Sequence, residues 1–313
     1  MSAAVAGRRA GGDGLTRAFW RCRGLRWGGA GPALLWERGR ERRERELRWG
    51  FELGFRALGI RGCGGARGNV CPLGAAIGGR STGGLCPECA RLDRAHSVAA
   101  DTVADDPRTY RVYLAWFGPG LVKVGITAEE RGPARLLEQG AVVFGWLGRG
   151  PLMAARRTEE LLRTALGVPD RIPYAEKRAV RSALPPRAER AAEIEEVHAR
   201  AVALEGWPHS LERVGFTAVD HTEVFGLDGL APATGVVSEL VDGGRVAGRL
   251  VAAAGPDLHL ATGDGGLVVL DTRLMTGWEL AGDGVGRGAA GAGGAITVPV
   301  RALSGGDVQD GLF

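Results

Sequence analysis

Apolar and polar positions alternate most clearly between residues 111 and 126. Val112, Leu114 and Trp116 interleave with Tyr113, Ala115 and Phe117, the two-residue period of a strand with different surroundings on its two faces. Gly118, Pro119 and Gly120 break the run, and residues 121–126 alternate again. A short Gly/Pro loop between two such runs predicts an antiparallel hairpin. With Phe117 opposite Leu121, Tyr113 falls opposite Gly125 and Ala115 opposite Lys123. Tyr113 and Lys123 then become diagonal neighbours on one face, and Gly125 leaves space beside the phenol.

The period then lengthens. Thr127 and Glu130 have capping-box spacing, but Gly132 and Pro133 move the start of the longer helix to Pro133, and Gly140 stops it. In residues 152–166 Leu152, Met153, Leu161, Leu162, Ala165 and Leu166 lie at helical spacing, with Gly167 as a stop. A helix over 174–184 ends at Pro185-Pro186. Another over 187–204 carries Ile194, Val197, Ala201 and Leu204 on one side, with His198 beside the stripe as a packing residue.

On both sides of this block the pattern is β. Apolar runs at 33–36 and 49–58 flank ERGRERRERELR, whose six Arg and four Glu read as a solvated hairpin loop or a short helix. Trp20, Trp27, Trp36 and Trp49 read as core and strand residues. From Phe216 onward short runs between Gly-rich turns predict a small barrel or meander. Residues 282–294 read as a flexible loop, and Arg273, Trp278 and His259 as either a binding face or scattered surface residues. The predicted class is α+β: a mostly β segment over 1–60, a cysteine module over 61–105, a central domain over 106–210 and a C-terminal β module over 211–313.

Five cysteines change this picture. Cys63, Cys71, Cys86 and Cys89 are spaced as a four-thiolate zinc site, with the Cys86-Pro87-Glu88-Cys89 knuckle placing two sulfurs on one side of a tight turn. Cys22 or His96 is the alternative for one ligand, and reduced loop cysteines are the competing reading. Four thiolates close a tetrahedron, which implies a structural ion.

Composition narrows the compartment. A hydrophobic fraction of 45% suits a globular chain, no run is long enough to span a bilayer, and residues 1–14 lack an apolar signal core. A cytoplasmic protein without a membrane partner is expected. Net charge is +4, and Lys123 and Lys177 are the only lysines. An arginine excess favours phosphate partners, yet with abundant Ala and Gly it is also the mark of GC-rich coding, so charge alone defines no nucleic-acid footprint. No Walker loop, GxSxG elbow or HExxH is present.

The candidate chemistry lies around the hairpin. Arg131 and Arg135 flank the helix start and are expected to lean toward the Tyr113 face, giving a phenol, an ammonium and two guanidiniums. Such a set suits a phosphodiester. Glu159 on the 152–166 helix offers a carboxylate for a divalent ion, or, with Glu160, only solvated pairs with Arg156 and Arg163.

Tyr113, the Lys123-Val124-Gly125-Ile126-Thr127 run, the arginines after it and a Glu on a later helix resemble the GIY-YIG domain. The closer resemblance is to an uncharacterised bacterial family, domain of unknown function 2797, whose members read YLA, KVGIT, R and QGA, here Tyr113 to Ala141. That family also has cysteine pairs ahead of its YLA segment. The GIY-YIG resemblance implies that Tyr113 helps activate the attacking water, that Arg131 or Arg135 binds phosphate and that Glu159 holds a metal. Lys123 departs from the pattern by replacing the second tyrosine. The expectation is a nucleic-acid-binding protein that, if it cleaves, is an endonuclease using Mg2+ or Mn2+. The alternatives are a zinc-stabilised binding module without catalysis and an adaptor that takes a protein partner through the C-terminal β module.

Overall fold

The computed structural model describes residues 19–29, 31–95, 106–282 and 296–303. His96 and most of the 282–294 loop lie outside them. The chain opens with four strands, β1 (Trp20–Gly28), β2 (Gly31–Arg38), β3 (Glu41–Glu46) and β4 (Glu52–Leu58), followed by helix α1 (Pro87–Ala95). The central block runs β5 (Thr109–Trp116), β6 (Val122–Ala128), α2 (Ala134–Gln139), β7 (Val143–Pro151), α3 (Leu152–Leu166), α4 (Tyr174–Val180) and α5 (Arg187–Val202). After it come the short strands β8 (Glu212–Arg213) and β9 (Val219–Asp220), helix α6 (Thr222–Phe225) and β10 (Gly235–Val237). Strands β11 (Arg245–Ala254), β12 (Asp257–Ala261), β13 (Leu267–Asp271), β14 (Glu279–Gly282) and β15 (Val300–Ala302) complete the described chain. This is a mixed α+β fold.

Two sheets organise it. The larger has the order β15-β10-β13-β12-β11-β4-β14-β1-β2-β3, and the smaller β6-β5-β7-β8 with β9 also on β7. Strands from the first 60 residues and from beyond residue 235 thus share one ten-stranded sheet, where the sequence suggested two separate modules. The joints are β4 between β11 and β14, and β14 against β1. The two terminal segments are joined edge to edge through these strands, which local periodicity does not disclose.

The hairpin has the register read from the sequence: Tyr113 opposite Gly125, Ala115 opposite Lys123, and the Phe117 amide donating to the Leu121 carbonyl at 2.9 Å. Alternation sorts its side chains as expected. Val112, Leu114 and Trp116 enter the core continuous with the large sheet, whereas Tyr113, Ala115 and Phe117 join Leu136, Ala141, Phe144 and Ile172 in a second cluster. On β7 Leu147 is an extra residue in the pairing with β5 beside Tyr113, a bulge of the kind that re-aims a side chain.

Helices follow the sequence reading where glycine ends them. Gly140 and Gly167 take left-handed φ of 72° and 67° and close α2 and α3. Thr127 is the penultimate residue of β6, the 3-10 turn Glu129–Arg131 that follows has no side-chain cap, and α2 starts after Pro133, next to the position read from the sequence. Two expectations need correction. Helix α4 stops at Val180, short of residue 184. The charged run ERGRERRERELR is neither loop nor helix but the end of β2, a turn at Gly39 and all of β3. Cross-strand pairing with β2 overrides the weak strand propensity of Glu and Arg.

Candidate functional site

Two sites stand out, a sulfur cluster and a polar cluster around Tyr113. The sulfurs of Cys63, Cys71, Cys86 and Cys89 all lie within 4.8 Å of one another, and all four residues are buried. Glycine builds the cluster. At Gly65, with φ of 73°, a Cβ would come within 1.8 Å of the Asn69 carbonyl, so only glycine lets the loop fold back on itself. Cys86 and Cys89 come from the knuckle entering α1.

The donor set fits a metal such as zinc. Tetrahedral Zn–S bonds of about 2.3 Å place sulfurs about 3.8 Å apart, and the Cys71 and Cys86 sulfurs are 3.8 Å apart. The amides of Gly65 and Cys86 donate to the Cys63 sulfur at 3.4 and 3.1 Å. Backbone donation from Ala75, chiefly, and Leu73 holds the Cys71 thiol down to about 6. Cys22 is outside the cluster: it is buried in β1, and burial pushes its thiol up to about 12.

A buried guanidinium anchors this module. Arg61 donates to the carbonyls of Thr276 at 2.8 Å, Gly78 at 2.9 Å, Ser81 at 2.6 Å and Arg273 at 2.9 Å. One side chain therefore ties the cysteine loops to the segment after β13, a role that nothing local in the sequence signals.

The Tyr113 phenol is 2% exposed. Its oxygen accepts from the Gln139 side-chain amide at 2.8 Å. A Cβ at Gly125 would sit 2.4 Å from that oxygen, so the glycine opposite is the space the phenol fills. Burial raises the phenol's pKa, with the Gln139 contact and Arg135 working against it and Glu159 with it.

Lys123 is buried and donates to the Asp170 carbonyl at 2.8 Å, with its ammonium 5.9 Å from the Tyr113 ring centre. Burial first, and then Arg135, bring the amine down to about 8, while Glu159 and Asp170 oppose them. Glu159, half-buried on α3, has its carboxyl raised by burial, against the pull of Lys123. Arg135 and Glu159 thus lie near enough to act on both the Tyr113 phenol and the Lys123 amine.

Arg131 does not point at the phenol. It forms a 2.7 Å ion pair with Glu138, which Arg135 also approaches at 3.7 Å. Glu160 pairs with Arg163 at 2.6 Å on the exposed side of α3, which leaves Glu159 as the inward carboxylate of the two.

Gln139 and Lys177 complete the cluster and were missed as site residues. Lys177, the chain's second lysine, is 4% exposed, donates to the Gln139 carbonyl at 3.1 Å and lies 3.8 Å from the Phe117 ring centre and 4.5 Å from that of Tyr174. Burial first and then Lys123 lower it to about 7. The signal available was the QGA triplet. Gln139 serves the phenol, a Cβ on Gly140 would lie 3.0 Å from the Gly255 amide, and the Ala141 carbonyl is 2.9 Å from His221 Nδ1.

Neither reading of Arg273, Trp278 and His259, a binding face or scattered surface residues, describes their placement: His259 and Trp278 are buried, and Arg273 pairs with Asp271 at 2.6 Å. Beside it, Arg178 bridges Asp257 and Asp271 at 2.6 and 2.7 Å, and Arg181 reaches Asp257 at 2.6 Å. These pairs fasten α4 to the large sheet. His198 is a packing residue, buried with its ring beside Phe216 and Nε2 3.2 Å from the Val214 carbonyl.

Fold and sites together define an α+β protein with a cluster of four buried cysteines that could hold a metal ion and a buried phenol–amine pair near an arginine and a carboxylate. Its family follows from the sequence match: residues 63–280, more than half of the chain, match the model described as Protein of unknown function (DUF2797), and the chain belongs to that family. No curated protein and no solved structure matches it. Among the described residues no helix is long and apolar enough to cross a membrane.

Proposed function

We propose that this chain is a nucleic-acid-binding protein with a GIY-YIG-like central domain, whose Tyr113 cluster grips a phosphodiester and hydrolyses it with a divalent ion at Glu159. The observation that carries this reading is the Tyr113 phenol seated on Gly125 with the Lys123 ammonium 5.9 Å from its ring centre and Arg135 and Glu159 near enough to act on both groups. Strand tyrosine, strand glycine opposite it, helix arginine and later helix glutamate follow the GIY-YIG order.

Each group has a role its surroundings support. Arg135 offers donors to phosphate oxygens, and Arg131 adds more once it exchanges Glu138 for substrate. The phenol oxygen already accepts from Gln139, so its O–H is left to donate to a phosphoryl oxygen. Lys123, held near 8, takes the proton from the water attacking phosphorus. Glu159 suits Mg2+ or Mn2+, which bind one or two carboxylates and fill the shell with water and phosphate oxygens. An ion held by Glu159 would supply polarisation of the phosphoryl oxygen and stabilisation of the leaving alkoxide. Zn2+ in the four-cysteine cluster is structural in this account.

Anisotropy with labelled DNA and RNA tests the binding step. Affinity is expected to fall steeply with salt, and Arg135→Ala to weaken it and lower the salt slope by about one. Affinity indifferent to both overturns the reading. Lys123 in place of a second tyrosine favours a narrower version, binding without cleavage, which gives the same anisotropy result and no product with either ion.

A further inference from the structure

Strand β3 closes one end of the large sheet and takes no part in either cluster. It pairs with β2 on one side and, among the described residues, with nothing on the other. All six of its residues, Glu41, Arg42, Arg43, Glu44, Arg45 and Glu46, are exposed. An open edge presents a row of backbone donors and acceptors, and charge normally guards it against indiscriminate pairing. Here the order of the charges also selects a partner.

Only alternate residues of a strand aim their backbone groups at a given edge. When two copies of one strand pair antiparallel about a two-fold axis, that axis must therefore pass through a residue and never between two. Centred on Arg43, Glu41 faces the second copy's Arg45, Arg42 faces its Glu44, and Glu46 faces its Arg40. Centred on Glu44, that carboxylate meets itself and Arg43 meets Arg45, with Arg42 and Glu46 the one opposite pair. Centred on Arg42, Glu41 faces Arg43 within the strand and Glu44 faces Arg40 in the turn, and the rest of β3 runs past its partner strand. The register centred on Arg43 thus joins the most opposite charges.

The single like pair in that register is drawn apart. Each Arg43 guanidinium stacks on its own Trp20, 4.6 Å from the ring centre. Glu41 and Glu44 accept from Arg38 and Arg26 through one oxygen each, which leaves the other for a second guanidinium.

We propose that two copies of this chain join through β3, antiparallel and centred on Arg43, to form a two-fold dimer with a continuous sheet. Sedimentation velocity on the full chain tests it. The wild type is expected to dimerise at low salt and to dissociate at least about tenfold more readily at high salt, where exposed charges are screened. Glu41→Arg with Glu44→Arg, and separately Arg42→Glu with Arg45→Glu, are each expected to be monomeric. Mixing the two variants restores opposite charges at every paired position except Arg43 and is expected to recover the dimer. A monomeric wild type, a dimer that both variants keep, or a mixture that stays monomeric overturns the proposal.

Discussion

The side-chain amide of Gln139 donates to the Tyr113 phenol at 2.8 Å, fixing the end of α2 to the middle of β5. The same residue's carbonyl accepts from Lys177. Through it, the chain's second lysine reaches the phenol on which the first lies. Gln139→Leu is expected to leave the buried phenol without its donor, at a cost of about 1–3 kcal/mol. It should also push the phenol's titration further up, since the donated bond lowers it. Ultraviolet titration and denaturant unfolding of the variant check both.

Gly125→Ala places a methyl group where the phenol oxygen lies. The expected loss is about 1–3 kcal/mol, the usual cost of overfilling a packed site. Tyr113→Ala in the same chain removes the clash, so the double variant should lose less than the two single losses added together. Additive losses in a double-mutant cycle would contradict the contact.

Lys177 gives a pH dependence with a defined sign. Its folded value, about 7, lies below its ordinary 10.5, so between those values the unfolded chain binds more protons and stability rises with pH. Lys177→Met is expected to flatten that rise by up to about 1.4 kcal/mol per pH unit. Lys123 contributes with the same sign over a narrower range starting near 8. Denaturant unfolding between pH 7 and pH 9, run on both proteins, measures the difference.

Much of the site was legible because its geometry is local. Strand alternation and a short Gly/Pro loop fix the register that sets Tyr113 against Gly125, and the cysteine spacing encodes a cluster that the fold closes. What escaped is non-local. Arg131 turns to Glu138 because a carboxylate seven residues away is within reach once α2 forms. His259 is buried, and Arg273 paired, because α4 and the far strands meet through Asp257 and Asp271, residues that look like ordinary turn carboxylates in the sequence. The shared sheet was hidden for the same reason, since β4 and β11 find each other across more than half of the chain.

Metal in the cysteine cluster is expected as one zinc per chain by elemental analysis. Removing it with a chelator, or changing Cys89→Ser, should lower the melting temperature. Arg61→Met should cost at least about 2 kcal/mol by leaving buried carbonyls without donors. Arg61→Lys should recover only part of that loss, because an ammonium lacks the planar fork. A metal-free chain of unchanged stability would contradict the assignment.

The most direct test of the central claim is nicking by the purified full chain with Mg2+ or Mn2+ on single-stranded, double-stranded and branched nucleic acids. The wild type is expected to give product on at least one of them, with Glu159→Gln and Tyr113→Phe each losing about a hundredfold or more of that rate, the scale on which acid–base and electrostatic groups contribute. No product from the wild type on any substrate, or product undiminished in both variants, would contradict hydrolysis at this cluster.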